Sequence, residues 1–177
     1  MKHLDKRGVI ALLAFLATIP LANWALRTWG FVSIGFGLVA PAGVYFAGLA
    51  FGLRDIAHEV TSRTYVIGAI IVGAGLSWWI EPDFAVASGV AFLVSESADL
   101  AVYDPLRNRN WPAAVVLSNT VGSAVDSILF LWIAFSSTAG WVDLTIGKLY
   151  MVAPVIFLMR EVRRRDLLRE PEHDRSA

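Results

Sequence analysis

Three carboxylates set the chemistry available to this chain. Glu96 and Asp126 each fall near the middle of a long apolar run, and Asp99 lies one helical turn beyond Glu96. A carboxylate at mid-membrane depth costs about 2.5–3.5 kcal/mol on insertion scales, so each needs a compensating partner. At a rise of 1.5 Å per residue, Asp126 falls roughly 3 Å and Glu96 about 4 Å from the midpoint of its run. Helical spacing groups them with other polar side chains. Ser95 and Asp99 are four apart, Glu96 and Asp99 three apart, and Tyr103 is seven beyond Glu96, while Asn119, Ser123 and Asp126 step by four and three. Each run therefore presents one polar stripe. Facing stripes with a carboxylate near the midplane mark a substrate or proton path more often than a structural hydrogen bond.

Two further runs carry polar groups toward the same space. Arg54, Asp55, His58 and Glu59 close the second apolar run, and Asn23 lies toward the end of the first. Four helices then line one polar cavity. The second group also reads as an interfacial charge cluster, Arg54 with Asp55 and His58 with Glu59, that merely ends its run at the aqueous boundary.

The elements that must position these groups are membrane spans. Of 177 residues, 56% are hydrophobic and 17% charged, with mean hydropathy +0.60, against roughly 25% charged in a soluble domain. Apolar stretches long enough to cross a hydrocarbon core of ~30 Å run from Gly8 to Leu26, Ile34 to Leu53, Thr64 to Ile80, Phe84 to Tyr103, Ala113 to Phe135 and Asp143 to Met159. We expect an all-α polytopic membrane protein of six transmembrane helices over residues 1–160, followed by a charged tail over 161–177. The first span is too long for a signal-peptide core and lacks a following small-residue cleavage pattern, so it reads as a retained helix.

Charge and aromatic placement orient the bundle. Lys2, Lys6, Arg7, Arg54, Arg63, Arg107, Arg109 and the tail arginines 160, 163, 164, 165, 169 and 175 gather on one side; Arg27 lies toward the other and Lys148 inside span six. The positive-inside rule then places both termini in the cytoplasm of an inner-membrane, multi-pass protein. Trp24, Trp29, Trp78, Trp79 and Trp141 fall at the outer interface and Trp111 at the inner one, as an aromatic belt requires. Gly48 and Gly52, and Ser118 and Gly122, are four apart, a spacing that lets helix backbones approach closely in lipid. Pro41, inside the second span, is expected to bend it.

Several chemistries are excluded. Cysteine is absent, and His3, His58 and His173 are widely spaced, so we expect no metal or other cofactor. No nucleophile elbow and no Gly-rich phosphate loop occur, so the chain reads as neither a hydrolase nor itself an ATPase, and no nucleic-acid partner is implied. Asp99 and Asp126 could pose as an aspartyl protease dyad, but Asp99 stands in Ser97-Ala-Asp-Leu rather than a Gly-x-Gly-Asp context.

Three stretches carry a family resemblance: Phe51-Gly-Leu-Arg-Asp-Ile-Ala-His-Glu59, Phe92-Leu-Val-Ser-Glu-Ser-Ala-Asp-Leu-Ala-Val-Tyr103 and Ser118-Asn-Thr-Val-Gly-Ser-Ala-Val-Asp-Ser-Ile-Leu-Phe130. They resemble the queuosine-precursor transporters, also called the vitamin-uptake-transporter family. The resemblance implies a six-helix inner-membrane importer of 7-deazaguanines, similar in fold to the substrate-binding subunits of energy-coupling-factor transporters but working without their ATPase. Asp55, Glu59, Ser95, Asp99, Ser118 and Asp126 match the family pattern, and Asn23 matches an asparagine expected on the first helix. Glu96 stands where the family often has Gln, Arg54 where it often has Thr, and Gly122 with Ser123 where it often has Ser-Gln.

The expected mechanism is alternating access around a midplane cavity. Glu96 and Asp126 would recognise the polar edge of a base, with Asn119, Ser123, Ser95 and Asn23 completing the substrate contacts beside Asp99. Asp55, Glu59, His58 and Arg54, with Asp99, would form a cytoplasmic exit or proton path. A second reading keeps the site but makes the chain a capture subunit for a vitamin-like molecule that uses a separate ATPase partner, and a third is a purely structural bundle. The expected partners are a small 7-deazaguanine-like molecule and the lipid bilayer, with a homodimer left open.

Overall fold

The computed structural model describes residues 4–80 and 85–167. Lys2, His3 and the end of the tail lie outside them. The helix α1 (Lys6–Trp29) starts where the Asp5 carboxylate accepts from the Gly8 amide at 2.8 Å and stops at Gly30, whose φ of 62° ends the helical path. A hairpin follows, β1 (Phe31–Gly35) and β2 (Leu38–Pro41), and then α2 (Val44–Val60), α3 (Arg63–Ile80), α4 (Ala85–Leu106) and α5 (Trp111–Phe135). The last run is split into α6 (Trp141–Leu149) and α7 (Val152–Leu167).

The second span differs from the helix expected from Ile34. Its first part is the antiparallel hairpin, pairing Phe31 with Pro41 and Ser33 with Val39. Gly35, Phe36 and Gly37 all have positive φ, 92°, 52° and 77°, a turn that no helix can continue through. Pro41 closes β2 and lies outside any helix, so the expected bend within span two is absent. An apolar run of this length does not by itself distinguish strand from helix. The hairpin is tied to the far end of the chain: the Val39 amide donates to Asp143 Oδ2 at 3.2 Å and the Tyr150 hydroxyl to the Ile34 carbonyl at 2.8 Å.

The sixth span is likewise two helices. Pro154 lacks an amide proton, and the break at Tyr150 and Met151 places it in the first turn of α7, where no helical hydrogen bond is lost. Its continuation to Leu167 carries the start of the charged tail as helix.

Among the described residues, five stretches are long and apolar enough to cross a membrane: α1, α3, α4, α5 and the combined run Trp141–Arg164. The shorter α2, with its charged end, is buried among them. Ile10, Leu13, Ile71, Val72, Trp79 and Phe157 point outward and exposed, as side chains facing lipid do. The protein is an all-α polytopic membrane protein with one β-hairpin at one end of the bundle.

Small residues set how closely α2 meets the last span. A Cβ at Gly48 would collide with the Lys148 backbone of α6, and one at Gly52 with the Val155 side chain of α7. Gly68 and Gly75 of α3 have nothing within 4 Å. Gly48→Val therefore lowers the thermal stability of the purified protein by about 1–3 kcal/mol through overpacking, whereas Gly68→Ala leaves it unchanged or slightly higher. Equal melting temperatures for the two variants would remove the close approach as the reason for Gly48.

Candidate functional site

The polar groups form three stacked layers. At the centre is Arg54 of α2. Its Nε donates to Glu96 Oε2 at 3.0 Å, its Nη1 to Asp55 Oδ1 at 2.6 Å, and its Nη2 pairs with Asp99 Oδ1; all four side chains are 0% exposed. Asn119 of α5 donates to the other Asp55 oxygen at 3.1 Å. The planar guanidinium suits this role because its fork of donors reaches several carboxylates at once. Arg54 with Asp55 is thus a buried hub, and the reading of this pair as an interfacial cluster does not hold. The physical reason lies in α4 and α5, which bring Glu96, Asp99 and Asn119 around the end of α2 and exclude water.

Above the hub lies a cavity of about 200 Å³, walled by α1, α2, α4, α5 and α6 together with Ser77 of α3. Its polar lining includes Asn23, Glu96, Asp126 and Lys148. Lys148 Nζ donates to Asp126 Oδ2 at 2.6 Å and to the Ser127 hydroxyl at 2.8 Å, and the Ser95 hydroxyl reaches Asp126 Oδ1 at 3.3 Å. Glu96 spans the two layers. While Oε2 is held by Arg54, Oε1 is buried with no hydrogen-bond partner. Phe51, Phe92 and Phe130 supply aromatic walls.

Below the hub, Glu59 Oε1 accepts from the Tyr103 hydroxyl at 2.7 Å and from Arg163 at 2.8 Å. His58, 3% exposed, lies 3.6 Å from Asp104, which also pairs with Arg63 at 3.2 Å. The polar groups thus run from the cavity through the hub to a basic end of the bundle.

The residues expected from sequence are distributed between these layers. Glu96, Asp126 and Asn23 line the cavity, and Ser95 lies behind Asp126. Asp99 and Asn119 are brought to Arg54, and Ser123 is buried in α5, its carbonyl accepting from Ser127 at 2.7 Å. Arg54 and Asp55 form the hub, with His58 and Glu59 a turn further on. Sequence reasoning left Lys148 outside the site. The available signal was energetic: a lysine inside a span is as unfavourable as the carboxylates and needs a partner just as they do.

Over residues 79–160 the chain matches the family described as "Putative vitamin uptake transporter". That stretch contains α4, α5, α6 and the first half of α7, and with them Glu96, Asp99, Asp126 and Lys148. The first helix, the hairpin and α2 precede it. No curated protein and no solved structure matches the chain. Similarity to this family, together with the membrane-spanning helices, supports transport of a vitamin-like small molecule by a multi-pass membrane protein.

The hub and the cavity pair differ in how much each tolerates. Arg54→Met strands three buried carboxylates and lowers stability by about 3–5 kcal/mol or more. Lys148→Met exposes only Asp126, which is 21% exposed, and costs less; adding Asp126→Leu restores most of the loss. Denaturation of the purified variants checks the order, and a Lys148→Met penalty as large as that of Arg54→Met would overturn it.

Proposed function

We propose that the protein imports a 7-deazaguanine precursor of tRNA queuosine by alternating access across the inner membrane, with both termini in the cytoplasm. The observation that carries this reading is the cavity: a buried carboxylate oxygen of Glu96 without a partner beside the Lys148–Asp126 pair, between aromatic walls. A carboxylate accepts from adjacent ring and exocyclic N–H groups, Lys148 donates to a carbonyl, and phenylalanine rings flank a planar base. At about 200 Å³ the space is small against the ~300–1,000 Å³ of drug-sized sites, which suits one or two fused rings.

In this mechanism Glu96 and Asp126 read the polar edge of the base and Asn23 approaches it from α1. Asp99, Asp55 and Glu59 continue the polar route toward the basic end. Arg7, Arg63, Arg107, Arg163 and Arg164 gather at that end, which supports its assignment to the cytoplasm. Uptake into vesicles by the purified protein alone would separate a solitary carrier from a capture subunit that borrows an ATPase.

Cells unable to make the precursor and lacking their own importer provide the decisive test. Supplied with limiting 7-cyano- or 7-aminomethyl-7-deazaguanine and expressing this protein, they regain queuosine in tRNA; with Asp126→Ala or Asp126→Asn, present in the membrane at equal level, queuosine falls to background. No recovery with the intact protein, shown to be in the membrane, rejects this substrate.

A further inference from the structure

The charges around the cavity bear on the charge of its ligand, an inference that rests on the transport reading above. Three carboxylates, Asp55, Glu96 and Asp99, share the single guanidinium of Arg54, and none of the four side chains is exposed. Ionised, they leave two negative charges uncompensated in the interior. Lys148 does not relieve this, because its ammonium is taken by Asp126 and Ser127. A buried carboxylate without compensation is strongly unfavourable in a low-dielectric interior.

Compensation can enter from the cavity at one atom. Of the four hub residues only Glu96 lines the cavity, where its Oε1 lacks a hydrogen-bond partner; Asp99 Oδ2 also lacks one but does not line the cavity. Asp55 has both oxygens engaged, by Arg54 and Asn119. Asp99 packs behind Gly122, where even a methyl group would strike its side chain. Phe51 and Phe92, which border the same space, also favour a cation over an uncharged group.

We propose that Glu96 makes this a site for positively charged ligands: a small planar base bearing a protonated amine or amidine binds in preference to an uncharged congener of the same size. A charge-assisted hydrogen bond to Glu96 Oε1 then supplies compensation that Arg54 alone does not. The neutral congener fills the same space without offering a positive charge to pair with Glu96.

The test compares two probes on the full-length protein in lipid nanodiscs by titration calorimetry: 7-aminomethyl-7-deazaguanine, a cation at neutral pH, and the uncharged 7-cyano-7-deazaguanine. The cation is expected to bind at least about tenfold more tightly, a difference of about 1.4 kcal/mol. Glu96→Gln brings the two within about threefold by weakening the cation, and Glu96→Asp keeps the preference. Equal binding to the intact protein, or a preference unaltered by Glu96→Gln, overturns the proposal. If neither base binds, the deazaguanine reading fails, and benzamidinium against benzamide then decides the charge preference: tighter binding of benzamidinium supports it and equal binding or none overturns it.

Discussion

One guanidinium surrounded by three carboxylates is the constraint on which the rest of this bundle depends. An arginine and three acids without solvent exposure are tolerable only together, since removing any partner leaves a charge stranded in a low-dielectric interior. Arg54 comes from α2, Glu96 and Asp99 from α4, and Asn119, which supports Asp55, from α5. The hub therefore holds three helices in one rotational setting. In lipid, where apolar burial between helices provides little driving force, such polar ties carry much of the specificity of packing.

The cavity is a consequence of that setting. With Glu96 turned to Arg54 through one oxygen, its other oxygen is left at the cavity, and Asp126, on the neighbouring helix, reaches Lys148 of α6. The approach of α6 depends on Gly48, whose missing side chain admits the Lys148 backbone. The break between α6 and α7 and the bonds from Asp143 and Tyr150 to the hairpin join the opposite wall to the same end of the bundle. Charge pairing, close packing and the broken last span thus converge on a single small site.

Much of the fold was legible in the chain. The boundaries expected for spans one, three, four and five fall within a few residues of α1, α3, α4 and α5, because uninterrupted apolar length has few other solutions in a membrane. The two failures have a common cause. Hydropathy measures where a segment lies and not which backbone it adopts, so the hairpin at Phe31–Pro41 and the break at Tyr150 and Met151 passed as continuous helix. Glycines at 35 and 37 and prolines at 41 and 154 were the local signals, and their effect depended on the residues between them.

For the polar residues, the sequence by itself determined that Glu96, Asp99 and Asp126 occupy the interior of spans and that periodicity aligns them on helix faces. It could not assign partners, because pairing depends on the azimuth and depth of separate helices. Only the tertiary structure decided that Asp99 and Asn119 turn to Arg54 and its neighbour Asp55, that Asp126 turns to Lys148, and that Arg54 with Asp55 is buried instead of interfacial. A charge in lipid announces by its energy that it has a partner, and three-dimensional packing alone selects which one.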